Sequence, residues 1–212
     1  MIIFDYLRIF SMVRSINLYF VRHGYATHNE GYDLYGEIAY FDEKYRDSLL
    51  TIKGKEQADN LQTVFQNIKI DLVYSSPLKR CIETMERALP TYNDIVYLDD
   101  RLIEALCEHP CNKRHDKEEI KSIKKLNLDK ISKNIIWSEN PETFDDIRIR
   151  ANNWYIDLIN NLKNNDNMKN IAIFSHCEFL HVLFTSNILP IPTQSKYIDF
   201  KNCEIRMIEL NL

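Results

Sequence analysis

The chain has 212 residues, 45% hydrophobic and 27% charged, with a formal net charge of −4. That is enough length to bury a sizeable core, and the balance is that of a globular protein, neither low-complexity nor disordered. A net negative charge excludes a global basic field of the kind that gathers nucleic acid or anionic membrane, so any anion chemistry must be local.

The first stretch, MIIFDYLRIFSMV, is apolar but carries Asp5 and Arg8 and has no basic leading region. It is too short to span a bilayer and lacks the layout of a secretory signal. Residues 1–15 are therefore read as an N-terminal extension or docking segment. Ile16, Leu18, Phe20 and Val21 then predict a buried strand that stops on Arg22-His23-Gly24. Glu30 to Leu50, polar and tyrosine-rich with Gly31 and Gly36, predicts a long loop over a site.

Ala58, Leu61, Val64, Phe65 and Ile68 recur at helical spacing, which predicts a crossover helix over 53–68. Asp71 to Ser76 predicts a second strand, followed by a helix with Pro77 in its first turn and an apolar face of Cys81, Ile82, Met85 and Leu89. Ile95 to Leu98 predicts a third strand. Residues 99–141 show no clean period, and the basic run Lys113, Arg114, Lys117, Lys121, Lys124 and Lys125, mixed with Asp116, Glu118 and Glu119, predicts mainly a solvated helix face. Phe144, Ile147, Ala151, Trp154, Leu158 and Leu162 predict a long helix over 141–163. Ile171 to Ser175 predicts another strand, ending on His176, with Val182, Leu183 and Ser186 on one face of the next helix. Ile198 to Leu210, interrupted at Lys201-Asn202, predicts two edge strands.

Three strand ends thus supply Arg22, His23, Arg80 and His176. In an α/β sheet, parallel strands would bring these ends to one edge, where a histidine and two guanidinium forks suit a phosphate. Each piece alone is a short motif that chance supplies; together they point to an anion site at that edge. Cys81, Cys107, Cys111, Cys177 and Cys203 form no CxxC pair and read as reduced thiols of an intracellular, cytoplasmic protein. Cys107, His109, Cys111 and His115 could be drawn as a zinc site, but their spacing is not a common ligand pattern.

The ordered set RHGYATHN (22–29), LTIKGKEQADNL (50–61), SSPLKRCIET (75–84), RLIEALCEHPCNKR (101–114), FSHCEFLHVL (174–183) and NCEIRMIEL (202–210) resembles the histidine phosphatase superfamily, which includes the phosphoglycerate mutases. The resemblance covers most of the chain from Ile16 onward. It implies one α/β domain over 1–212, a three-layer sandwich whose mostly parallel central sheet carries helices on both faces, with 99–141 as an inserted substrate-side region. It implies a metal-independent phosphatase that hydrolyses a phosphate monoester of a small metabolite through a phosphohistidine at His23. His176 would act beside it as imidazolium, a form that the negative charge of bound phosphate should favour. Arg22, Arg80, Asn29, Gly24 and the backbone N–H of Cys177 would bind the phosphate. Glu104 is favoured as the acid because it stands five residues before an HPC-x-KR stretch, as in a plant-like branch, while Glu108 stays open. Arg101 and Asp100 are supporting residues at most, Glu204 is structural, and His28 could line the pocket.

The family often has glycine where this chain has Cys177, and the mutase form of the first motif is incomplete, which favours hydrolysis over phosphoryl return. A phosphoglycerate mutase is the alternative enzyme, and a catalytically weak phosphate-binding or scaffold protein the alternative from another class. No cofactor, metal, nucleic acid or membrane is expected; the expected partner is a small phosphorylated substrate, with a homodimer left open.

Overall fold

The computed structural model describes residues 14–134, 140–191 and 199–212. Residues 1–13 of the expected N-terminal extension and Ile198 lie outside the described residues. Among the described residues six strands form one sheet: β1 (Ser15–Arg22), β2 (Leu72–Ser75), β3 (Val96–Asp99), β4 (Leu126–Lys130), β5 (Asn170–Ser175) and β6 (Ile205–Asn211). Their order is β4-β3-β2-β5-β1-β6, with every pairing parallel except β6 against β1. Helices are α1 (Thr27–Tyr35), α2 (Ile52–Asn60), α3 (Gln62–Phe65), α4 (Lys79–Ala88), α5 (Phe144–Lys163) and α6 (Cys177–Thr185).

The period of two along β1 sorts its side chains into two cores. Ile16, Leu18 and Phe20 pack with α5 and α6 on one face, while Tyr19 and Val21 pack with Leu61, Phe65, Cys81 and Met85 on the other. This is the expected three-layer α/β sandwich. On the α5 side Trp154 is fully buried and meets Phe20, Tyr74 and Phe179 edge to face, with ring centroids 6.4, 6.1 and 6.2 Å apart. Such a tryptophan contributes about 3–5 kcal/mol against alanine. α5 starts at a reciprocal cap, in which Thr143 Oγ1 accepts from Asp146 N and Asp146 Oδ2 accepts from Thr143 N.

Several expectations change. The predicted 30–50 loop is largely helical: α1 runs to Tyr35, and 3₁₀ turns follow at Gly36–Phe41 and Glu43–Tyr45. Its glycines are not loop markers. Gly31 lies inside α1 because a Cβ there would meet the Tyr45 ring at 2.4 Å, and Gly36 ends the helix at φ +71°. The 53–68 helix is distorted at Leu61, where the backbone bonds shift to Leu61 N→Ala58 O and Val64 N→Leu61 O. Pro77 precedes α4 rather than entering it, since Leu78 is the N-cap.

Residues 99–141, expected as an inserted region without period, supply β4, hydrogen-bonded to β3. The basic run is not one helix, and Arg114 is buried against Asp100 at 3.0 Å. Of the two predicted C-terminal edge strands, the described residues form one, β6. Lys201 to Glu204 is a turn with Cys203 at φ +57°. Ile205 and Ile208 fall out of alternation because they face different cores.

Candidate active site

Parallel pairing brings the strand ends to one edge: Arg22 stands opposite Ser175 and Ser75 opposite Phe174. Beyond them the chain turns at His23, at Ser76 and at His176, which is the N-cap residue of α6, and α4 carries Arg80 on its first turn. Arg22, His23, Arg80 and His176 converge as the strand ends predicted.

His23 is 1% exposed, and its Nδ1 lies 2.8 Å from Gly24 O. A carbonyl oxygen only accepts, so Nδ1 carries the proton and Nε2 keeps its lone pair. Burial, then the charges of Arg80 and Arg22, hold the imidazole well below its ordinary pKa, so the ring is neutral. His176, whose ring centroid is 5.1 Å away, has Nε2 2.7 Å from Ser76 Oγ. Burial and Arg80 push its pKa well down as well, so the ring is neutral here, and the expected imidazolium is the form that a bound phosphate dianion would favour.

Arg80 is fully buried. Its Nη1 donates to Cys111 O at 2.5 Å and its Nη2 to Asn112 Oδ1 at 2.9 Å, while Nε is buried without an acceptor among the described residues. It does not pair along α4 with Glu83, which instead accepts from Leu50 N at 2.6 Å. Arg22 Nη1 donates to Phe200 O, and its Nε is likewise buried without an acceptor among the described residues. Each such orphan donor costs about 1–3 kcal/mol, a cost that an oxyanion accepting from it would remove.

Asn29 is half-buried; its Oδ1 accepts from Ala26 N, and its amide nitrogen has no acceptor among the described residues. Cys177 opens α6, and the next two N–H groups of that helix, on Glu178 and Phe179, donate to Glu104 Oε1 at 3.1 and 3.3 Å. Ala105 N donates to the same oxygen at 3.0 Å, so Oε1 is held as an acceptor and Oε2 is the oxygen left for other chemistry. Glu104 is half-buried at the first turn of α6, whereas Glu108 is exposed. Burial pushes the Cys177 thiol up to about 11, so it is no thiolate at neutral pH.

Gly24 is placed differently from the other expected phosphate-binding groups. Its N–H donates to Thr84 Oγ1 at 2.9 Å, and the space of its missing Cβ is taken by Gly54 O, which a Cβ would meet at 2.6 Å.

His28 is 6% exposed and 5.7 Å from His23 between ring centroids, so it does line the site, with Nδ1 2.6 Å from Ser48 Oγ. Ser76, Thr84, Asn112 and Asp47 were not singled out from sequence. Ser76 could have been, as a hydroxyl between a strand end and proline. Asp47 has no local signal: its carboxylate accepts from Lys79 N at 2.8 Å at the start of α4 and from His115 Nδ1 at 2.9 Å, although it lies 32 and 68 residues away in sequence. Arg101 pairs with Asp99 and Asp157, and Glu204 accepts from Lys201 N and Arg206, contacts that serve structure.

Among the described residues no three His, Cys, Asp or Glu side chains converge in a way that could hold a metal; Cys107, His109, Cys111 and His115 do not form such a group. Among the described residues, no helix is long and apolar enough to cross a membrane.

A phosphoglycerate mutase-like protein of Arabidopsis thaliana is 25% identical, over 93% of this chain and 85% of its own length. Among solved structures, a phosphoglycerate mutase from Bacillus anthracis superposes with a TM-score of 0.62 at 18% identity, covering 93% of this chain and 89% of its own. A phosphoserine phosphatase from Entamoeba histolytica, solved as a point mutant in complex with phosphoserine, gives 0.55 at 20% identity over 91% and 89%. These two share the fold. The family described as histidine phosphatase superfamily (branch 1) matches residues 18–211, nearly the whole chain. The protein belongs to the histidine phosphatase superfamily, branch 1.

Proposed function

We propose that the chain is a metal-independent phosphatase that hydrolyses a phosphate monoester of a small metabolite through a phosphohistidine at His23. Family membership supports phosphatase or mutase chemistry. The observation that carries the finer reading is the state of His23: neutral, with its proton fixed on Nδ1 by Gly24 O and, among the described residues, its Nε2 lone pair free beside two guanidinium groups whose Nε–H donors lack acceptors.

In the first step Nε2 attacks phosphorus and the P–O bond to the alcohol breaks, with Glu104 giving the leaving oxygen a proton from Oε2. Arg22, Arg80, Asn29 and the Cys177 N–H receive the equatorial oxygens. The dianion offsets the Arg80 charge that, after burial, keeps His176 neutral, so protonation of His176 accompanies binding. In the second step water attacks phosphorus, Glu104 takes its proton, and inorganic phosphate leaves with Nε2 restored. Four cationic or donor side chains supply what a metal would contribute.

Phosphate release across a panel of phosphorylated metabolites, with and without EDTA, tests this. Hydrolysis of at least one ester, unchanged by the chelator, is expected. Activity lost in EDTA and restored by zinc or magnesium would overturn it. Isomerisation of 3-phosphoglycerate without net phosphate release would favour the mutase reading that the name of the Arabidopsis relative suggests.

A further inference from the structure

The side of the site beyond Glu104 has a chemistry of its own. The ring of Tyr40, on the 3₁₀ turn after α1, stacks on Tyr32 at 5.1 Å with 17° between planes, and lies 5.1 Å from the ring of His109 and 6.2 Å from that of His28. Phe41 meets His109 edge-on at 5.1 Å. Two separate segments, 36–41 and 109–112, thus close on each other through rings, and the Tyr40 hydroxyl makes no hydrogen bond among the described residues. Tyr40 lies within the fields of both Arg22 and Glu104, the one expected at the phosphate and the other at the leaving oxygen.

The cations acting most strongly on Tyr40, Cys111 and Cys177 are Arg22 and Arg80, whereas the recurrent anion is Glu104, joined by Asp199 at Cys177. Glu178 follows Cys177 and is half-buried near Glu104. The Nη1 atoms of both arginines already serve backbone carbonyls. A carboxylate or second phosphate on the substrate would be desolvated between these rings and Glu104 and Glu178, with neither arginine left to pair it once the phosphoryl group is bound.

We propose that the Tyr32–Tyr40–His109 wall selects phosphate monoesters whose alcohol is flat, apolar and uncharged, an aromatic alcohol above all, and disfavours those carrying a second anionic group. This deepens the reading of the His23 centre as a phosphoryl site and rests on it.

The comparison that decides uses 2-phenylethyl phosphate and 3-phosphoglycerate, both esters of alkyl alcohols, so that leaving-group activation does not obscure recognition. At about pH 8, where free imidazole is neutral, the phenylethyl ester is expected to show kcat/KM at least about tenfold higher, the scale of one aromatic contact plus an unpaired carboxylate. Tyr40→Ala should lower that ratio toward one, and Tyr40→Phe should keep it. Equal or inverted preference in the native protein, or a ratio insensitive to Tyr40→Ala, would overturn the proposal. Titration calorimetry of the two esters reads the same ratio as affinities. Absent turnover would therefore sink the phosphatase reading alone, and the affinity ratio would still decide this one.

Discussion

Gly24 and Gly54 meet backbone to backbone: a Cβ on Gly24 would stand 2.6 Å from Gly54 O, and one on Gly54 would stand 2.0 Å from Tyr25 O. The first turn of α2 is thereby pressed against the residues that follow His23, and Thr51 Oγ1 ties the two by accepting from Gly54 N and donating to Tyr25 O.

Gly54→Ala should force these strands of backbone apart. Overpacking costs about 1–3 kcal/mol, and here the obstacle is backbone, which cannot rotate away as a side chain would. Urea unfolding should show a loss of at least that size, together with reduced activity of the folded fraction, because Gly24 O fixes the tautomer of His23. A variant of native stability and activity would mean that the contact is slack.

The three buried histidines set a pH dependence of stability. His23, His28 and His176 all have folded pKa values well below 6.5, through burial first and then Arg80, the leading charge on each. The unfolded chain takes up protons as pH falls through about 6.5, while the folded chain does not until its own lower pKa values are reached. Stability is therefore full above about pH 6.5 and lost below it, by up to about 1.4 kcal/mol per pH unit per histidine. Unfolding free energies measured from pH 7.5 to 5 should fall with that sign. The slope should be shallower in His28→Gln, and also with sulfate bound, since a dianion lets the histidines protonate in place. A flat profile would contradict the buried neutral cluster.

Glu104→Gln keeps an oxygen able to accept from Ala105, Glu178 and Phe179, so it removes the proton while sparing the geometry. It should slow hydrolysis of alkyl phosphates by about 10²–10⁴-fold, the usual worth of general acid catalysis, and activated aryl phosphates far less. Glu108→Gln, altering an exposed side chain, should do neither. The opposite pattern would move the acid by four residues.

Much of the sheet was legible because buried strands are short, apolar and punctuated: FVRHG, VYSSP and IFSHC each announce both a strand and the polar edge where it stops. The convergence of Arg22, His23, Arg80 and His176 follows from parallel pairing alone. Glu104 was different, since nothing in its own segment distinguishes it from Glu108, and only resemblance favoured it before the α6 contacts appeared. β4 was missed because LNLDK is half-exposed and owes its pairing to β3. Arg114 looked like one charge in a solvated run because its partner Asp100 lies 14 residues back and two of its carbonyl acceptors, Ser132 and Asn134, 18 and 20 residues ahead. The helix within 30–50 was hidden by two glycines whose reasons, the Tyr45 ring and the end of α1, are tertiary and local respectively.

The central claim is that Nε2 of His23 takes the phosphoryl group. Brief mixing with substrate followed by an alkaline quench should trap one phosphate on the peptide containing His23, lost on acidification as a phosphoramidate is, and absent from His23→Ala together with turnover. Trapped phosphate that survives acid, or near-normal turnover by His23→Ala, would contradict the account.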